Sequence, residues 1–142
     1  MNNLEKTLRR NGLVITVTGL VFAIAVLPAF HGVLWLFLQL AYWPMAEVPR
    51  AMVIPVGLTV GISGGLTTGI GATLWALGRY VAPIAPDAAR RCAFMMGWSW
   101  FAVDSAASVL AGAPFNVVLN LLFLALILQA AYARQPARQS AL

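Results

Sequence analysis

Long stretches of this sequence carry almost no charged residues, and this feature constrains the fold more than any other. Residues 11–46 and 51–78 contain no Asp, Glu, Lys or Arg, and residues 92–133 contain only Asp104. A membrane-spanning helix needs about 20 mostly apolar residues. The three stretches therefore predict one, one and two membrane spans, in that order along the chain.

The composition agrees with a membrane protein. Of the 142 residues, 61% are apolar and 9% are charged, whereas a soluble domain is about 25% charged. The net charge of +5 does not indicate nucleic-acid binding, because the basic residues flank the apolar runs instead of forming one stripe. The predicted partner is a lipid bilayer with anionic headgroups.

The chain is therefore predicted to be a single all-α membrane domain, a four-transmembrane-helix bundle. Apolar runs, prolines and the Gly112-Ala113-Pro114 turn set the limits of the helices. The predicted spans are 12–30, 52–77, 92–111 and 115–132, followed by a flexible tail at 133–142.

The segment 33–43 is apolar but has only eleven residues, too few to cross a bilayer. It is predicted to lie at the membrane surface or to re-enter the membrane between the first two spans. Amphipathic aromatic rings settle at the level of the headgroups. The residues assigned to this interface are His31, Trp35, Tyr42 and Trp43.

The basic residues predict the orientation of the chain. Cytoplasmic segments of membrane proteins carry an excess of Lys and Arg. If both termini are cytoplasmic, Arg50 alone lies outside, and the inside segments hold Lys6, Arg9, Arg10, Arg79, Arg90, Arg91, Arg134 and Arg138. This asymmetry predicts that both termini lie inside.

Asp104 lies within the predicted third span, where a carboxylate costs about 2.5–3.5 kcal/mol on insertion scales. We therefore expect it to face the protein interior, to find polar partners or to be protonated. Residues equally far from Gly112 should lie at equal depth in the hairpin, which places Asp104 opposite Asn120 and Ser108 opposite Asn116. The predicted polar site consists of Asp104, Ser105, Ser108, Asn116 and Asn120.

Two interpretations of this polar site stay open. It could be a proton or ion site, or a pocket for a polar ligand. It could also be structural, because buried polar contacts between membrane helices contribute about 0.6 kcal/mol each on average. Neutral Asn and Ser would suffice for the structural role, so the carboxylate points towards function.

Four glycines repeat at every fourth position of the predicted second span: Gly57, Gly61, Gly65 and Gly69. Overlapping motifs of this kind let another helix approach closely. The face they form is predicted to pack against the first or third span. The alternatives are a homo-oligomer contact and a contact with a partner subunit.

Motifs for catalysis and metal binding are absent from the sequence. It contains no H-E-x-x-H, P-loop, dinucleotide-binding or nucleophile-elbow motif. Cys92 is the only cysteine and His31 the only histidine, so multi-Cys metal sites and bis-histidine haem ligation are excluded. The sequence predicts no cofactor and no metal, and an enzyme is the least favoured class.

One set of motifs combines Trp100-Phe101, Asp104-Ser105, Ser108, Gly112, Asn116, Asn120 and Phe123 with Tyr42-Trp43-Pro44 and Gly64-Gly65 upstream. This set resembles an uncharacterised family of small four-helix inner-membrane proteins of bacteria, mainly proteobacteria. The likeness covers roughly residues 40–125. The resemblance implies a multi-pass protein of the bacterial inner membrane and no particular activity. It also suggests that the polar site is a defining feature of the group.

Two classes of function follow from these features. The first is a non-enzymatic accessory or interaction protein, for example a small subunit or assembly factor of a larger membrane complex. The second is a small proton- or ion-coupled transporter that uses Asp104, Asn116 and Asn120. Carriers usually contain internal repeats, and no convincing repeat relates the two halves of the chain, so the transporter ranks second.

Overall fold

The structure is a computed structural model that describes residues 3–132, and in this range it is helical without strands. The helices are α1 (Asn3–Ile24), α2 (His31–Tyr42), α3 (Val53–Ala76), α4 (Pro86–Leu110) and α5 (Phe115–Ala131). Short 3₁₀ turns precede α2 and α3, and a π-helical turn, Leu77–Val81, extends α3. The predicted tail at 133–142 lies outside the described residues.

Helices α1 and α3 are antiparallel, and glycines bring their backbones together. A Cβ atom on Gly12 would lie 2.5 Å from the backbone nitrogen of Trp75, and one on Gly64 would lie 2.5 Å from that of Ala23. Gly19 and Gly71 face the opposite helix in the same way. A close approach of this kind is open only to residues without side chains.

A tight turn joins α4 to α5, as the sequence predicts. Gly112 has a φ angle of +75°, a left-handed conformation that favours glycine. The amide of Ala113 donates to the carbonyl of Ser108 and satisfies one carbonyl at the end of α4. The hairpin below is closely packed, because a Cβ atom on Gly97 would lie 2.9 Å from Cγ2 of Ile127.

The four long helices alternate in direction. The start of α1 lies beside the end of α5, where Asn11 donates to the carbonyl of Leu126. The start of α4 lies at the same end, since the Arg90 guanidinium donates to the carbonyl of Ala131. The opposite end of the bundle therefore holds the end of α1, the start of α3 and the turn at Gly112.

Helix α2 lies at that opposite end. Its first residue, His31, lies beside the end of α1, and Trp43, which follows its last residue, stacks edge-on against Phe115 at the start of α5. Both ends of α2 are thus at one end of the bundle, and the helix does not run through it. One side is buried in a small core made of Ala25, Leu34, Leu38, Val53 and Val60.

The helix bounds differ from the predicted spans in three places. Helix α1 begins at Asn3 instead of residue 12, because the polar residues 3–11 continue the helix. It ends at Ile24, since Pro28 keeps Leu27 extended; His31 is therefore the first residue of α2 and does not interrupt a span. Helix α4 begins at Pro86 instead of Cys92, with proline in its first turn.

Between residues 3 and 132, two helical stretches are long and apolar enough to cross a membrane by length and composition. They are Asn3–Ile24 and Arg50–Val81, the second being α3 with the turns that flank it. Helix α5 is apolar as well but has only 17 residues.

Candidate functional site

The polar site lies on the seam between α4 and α5. Nδ2 of Asn120 donates to Oδ2 of Asp104 at 2.5 Å, and Nδ2 of Asn116 donates to the same oxygen at 3.4 Å. Asn116 also donates to Oγ of Ser108 at 2.8 Å. These contacts confirm the predicted pairing of Asp104 with Asn120 and of Ser108 with Asn116.

The two serines complete the hydrogen bonds of the site. Ser105 accepts a bond of 3.2 Å from Nδ2 of Asn120. Ser108 donates to the backbone carbonyl of Asp104 at 2.7 Å. Ser105, Ser108 and Asn120 are buried, whereas Asp104 and Asn116 are half-buried. The seam thus encloses three of the neutral partners and leaves Asn116 and the carboxylate of Asp104 at its edge.

The carboxylate at this edge faces a large groove of about 920 Å³. Its walls come from α2, α3, α4 and α5, with one residue of α1, Phe22. The lining is mostly apolar, and the polar residues on it are Ser63, Thr67, Ser99, Asp104, Asn116 and Asn120. Helices α3 and α4 stand apart along the groove, because each packs against another partner, α1 for α3 and α5 for α4.

The groove opens to the outside of the bundle. Leu66 on α3 is 67% exposed and Val103 on α4 is 72% exposed, although both line the groove. Within residues 3–132, no basic side chain forms an ion pair with Asp104. The site therefore combines an uncompensated carboxyl group with an apolar wall that a ligand can reach from the side.

The side chains of this arrangement can bind a ligand through hydrogen bonds and through charge. In the described part of the chain, no group of three or more His, Cys, Asp or Glu residues could hold a metal ion. The residues that line the groove include neither His31 nor Cys92. Asp104 and its amides can accept and donate hydrogen bonds and can attract a positive charge.

Within the described residues, most members of the four-glycine repeat do not pack against the first or third span as predicted, and the alternatives, a homo-oligomer contact or a contact with a partner subunit, stay predictions. No atom lies within 4 Å of a Cβ built on Gly57, Gly65 or Gly69, and Gly61 meets only the side chain of Val26 at 3.1 Å. Close packing uses Gly64 and Gly71 instead. Successive residues four apart drift around a helix of 3.6 residues per turn, so the repeat turns away from α1.

The predicted interfacial residues cluster around α2. Nε1 of Trp35 donates to the carbonyl of Val48, and the Arg50 guanidinium lies 4.8 Å from the centre of the Trp35 ring. Nε2 of His31 lies 3.2 Å from the carbonyl oxygen of Val26. Tyr42 packs against the small core under α2, and Trp43 is exposed. Trp35 thus fastens the 43–50 loop to α2, and none of the four residues lines the groove beside the polar site.

A second polar cluster, at the basic end of the bundle, is missed by the sequence reasoning. Asn11 is 1% exposed and donates to Oε1 of Gln129 at 3.1 Å as well as to the carbonyl of Leu126. Arg10 donates to the side chains of both Asn11 and Gln129. The sequence feature that could have indicated this cluster is Gln129, a polar residue inside an otherwise apolar run.

No known protein family, curated protein or solved structure matches this chain. The resemblance to small bacterial inner-membrane proteins therefore stays a prediction, and the site must be interpreted from its own geometry.

Proposed function

We propose that this chain is a four-span protein of the bacterial inner membrane with both termini in the cytoplasm. In this arrangement α1, α3, α4 and α5 cross the bilayer and α2 lies at its outer surface. The alternating directions of the four helices support this proposal. They gather six basic residues at one end of the bundle: Lys6, Arg9, Arg10, Arg79, Arg90 and Arg91.

The apolar surface supports the same arrangement. Large apolar side chains are exposed on all four long helices, for example Leu13, Leu58, Met95 and Leu122. Soluble monomers rarely expose contiguous apolar patches larger than a few hundred Å². Helix α4, with 25 residues, reaches about 37 Å at 1.5 Å per residue, which is enough to cross a hydrocarbon core of about 30 Å.

We further propose that the chain is a non-enzymatic interaction protein, a small subunit or assembly factor of a larger membrane complex. One observation carries this proposal: α3 has two sets of glycines, and the fold uses only one. Gly64 and Gly71 pack closely against α1. Gly65 and Gly69 are exposed, and no atom lies within 4 Å of a Cβ built on either. Exposed glycines weaken a helix, and a close contact with a further helix gives them a role.

The partner helix would come from another protein or from a second copy of the chain. Replacing Gly65 and Gly69 by Leu adds bulk to the exposed face and should leave the fold intact, because no atom stands in the way. We expect the variant to purify as a folded protein. It should have lost the partner subunits that copurify with the wild type from native membranes, or, where the partner is a second copy, it should no longer form a dimer. A matched control, Ile62→Leu, changes the same helix without adding bulk to the glycine face.

If the double variant retains every partner and its oligomeric state, the interaction proposal fails. Loss of partners together with loss of the folded state would instead show that the glycines serve the fold, which also contradicts the proposal.

The position of Asp104 in the groove favours a second candidate, a small proton- or ion-coupled transporter. This role can be tested by reconstituting the purified protein into liposomes that contain a pH-sensitive dye. A transporter should move protons under an imposed gradient, and Asp104→Asn should stop this flux while the protein stays folded, because an amide can replace most of the hydrogen bonds. Equal flux in both proteins would reject this role.

A further inference from the structure

We propose that the groove between α3 and α4 binds an amphipathic organic cation, with Asp104 as the counter-charge. This inference goes beyond a role in partner binding, because the groove and the exposed glycines lie on different faces of α3. It names a ligand class for the polar site, and binding does not require that the chain transports the ligand.

The hydrogen bonds of Asp104 leave room for a ligand. Both amide donors, from Asn116 and Asn120, approach Oδ2. Oδ1 receives no hydrogen bond from residues 3–132. The amides hold the carboxyl group on the α4–α5 seam, and its second oxygen remains an acceptor for a positively charged group in the groove.

The side chains that line the groove indicate the chemistry of the rest of the ligand. Aromatic rings of Phe22, Phe37, Trp100 and Phe123 line it, and such rings attract cations in addition to providing apolar contact. The remaining lining is mainly aliphatic. A ligand that fills this space therefore has an apolar body and one positive centre.

The size of the groove agrees with an organic ligand. Its volume of about 920 Å³ lies within the range of about 300–1,000 Å³ that is usual for small-molecule sites. Along α4 it extends from Met96 to Ala107, about 16 Å at 1.5 Å per residue. A bare metal ion fits poorly, because hard cations need about six oxygen ligands and the amides present nitrogen to Asp104.

Tetraphenylphosphonium is a suitable probe, and tetraphenylborate is its control with nearly the same shape and the opposite charge. Binding is measured by equilibrium dialysis and by tryptophan fluorescence on the full chain in uncharged detergent micelles. We expect saturable binding of the phosphonium, one per chain, and no saturable binding of the borate. Asp104→Asn should weaken phosphonium binding by about tenfold or more, since the charge attraction in a partly buried site is lost.

Two neighbouring substitutions make the test independent of any effect of Asp104 on folding. Ala106 and Ala107 are adjacent and both exposed, but only Ala107 lines the groove. Ala107→Trp should fill the groove and abolish saturable binding with the carboxylate still in place. Ala106→Trp should bind like the wild type.

Several outcomes would overturn the proposal. Equal phosphonium affinity in wild type and folded Asp104→Asn would remove the role of the carboxylate. Equal saturable binding of both probe ions would show a groove that takes apolar molecules, such as lipid tails, without regard to charge. Absence of saturable phosphonium binding to the folded wild type would reject the site altogether.

Discussion

Nδ2 of Asn120 lies 2.5 Å from Oδ2 of Asp104, across the interface between α4 and α5. The two residues are equally far from Gly112 in sequence, so the turn sets their common depth. The same register brings Asn116 to Ser108 and Gly97 to Ile127. One turn residue thus determines which side chains meet along the whole hairpin, and the carboxylate finds its partners because the helix backbones are close.

The hydrogen bond between Asp104 and Asn120 should be measurable as an energetic coupling. Asn120→Leu should lower the free energy of unfolding by about 1–3 kcal/mol, because the carboxylate loses its nearest donor. In an Asp104→Leu background the same change should cost much less. Reversible unfolding in mixed micelles gives the double-mutant cycle, and equal costs in both backgrounds would show that the contact contributes nothing.

Two adjacent glycines on α3 should respond oppositely to a single methyl group. Gly64→Ala should destabilise the protein by about 1–3 kcal/mol or more, because the new Cβ would collide with the backbone of α1. Gly65→Ala has open space and should be neutral or stabilising by up to about 1 kcal/mol, since alanine favours helix. Thermal unfolding of the two variants, compared with the wild type, checks this. Similar losses in both would contradict the assignment of faces.

Both termini should be inaccessible from outside the cell. Single cysteines at positions 47, 87 and 138, in a Cys92→Ala background, can be tested with a membrane-impermeant thiol reagent on intact cells. We expect labelling at position 47 only, because position 87 lies at the basic end of the bundle and the sequence around position 138 is itself basic. Permeabilised cells, in which all three should react, serve as the control, and outside labelling at 87 or 138 would disprove the topology.

Asn11 should be important for docking α1 against α5. Asn11→Leu removes the donors to Leu126 and Gln129 and leaves the carbonyl of Leu126 without its side-chain partner. We expect a loss of about 1–3 kcal/mol in the free energy of unfolding. Thr18→Val is a suitable control, because its hydroxyl bonds only within α1. If both variants are equally stable, the cluster has no structural role.

Several features could be read from the sequence because they depend on local patterns. Charge-free runs give helices wherever about 20 apolar residues occur together, and the predicted limits of α3 and α5 lie within one residue of the observed ones. Antiparallel geometry around a short turn is nearly fixed. The pairing of Asp104 with Asn120 therefore followed from sequence numbers and helix periodicity alone.

The start of α1 could not be read in the same way. Charged and polar residues mark the end of an apolar run, but they do not end a helix. Helix α1 therefore extends back to Asn3. The limits of an apolar run and of a helix coincide only where proline or glycine alters the backbone, as Pro28 does after α1 and Gly112 does after α4.

What the sequence determined by itself is the four long helices, their order and the hairpin that joins Asp104 to Asn120, because these depend on periodicity and on contacts close in the chain. Only the tertiary structure decided which glycines are packed. Gly64 and Gly65 are neighbours on α3 with the same composition around them, yet one touches α1 and the other is exposed. Adjacent residues of a helix point about 100° apart, so the rotation of α3 about its own axis relative to α1 fixes that choice. The packing of α3 on α1 and of α4 on α5 then leaves Asp104 on an open groove.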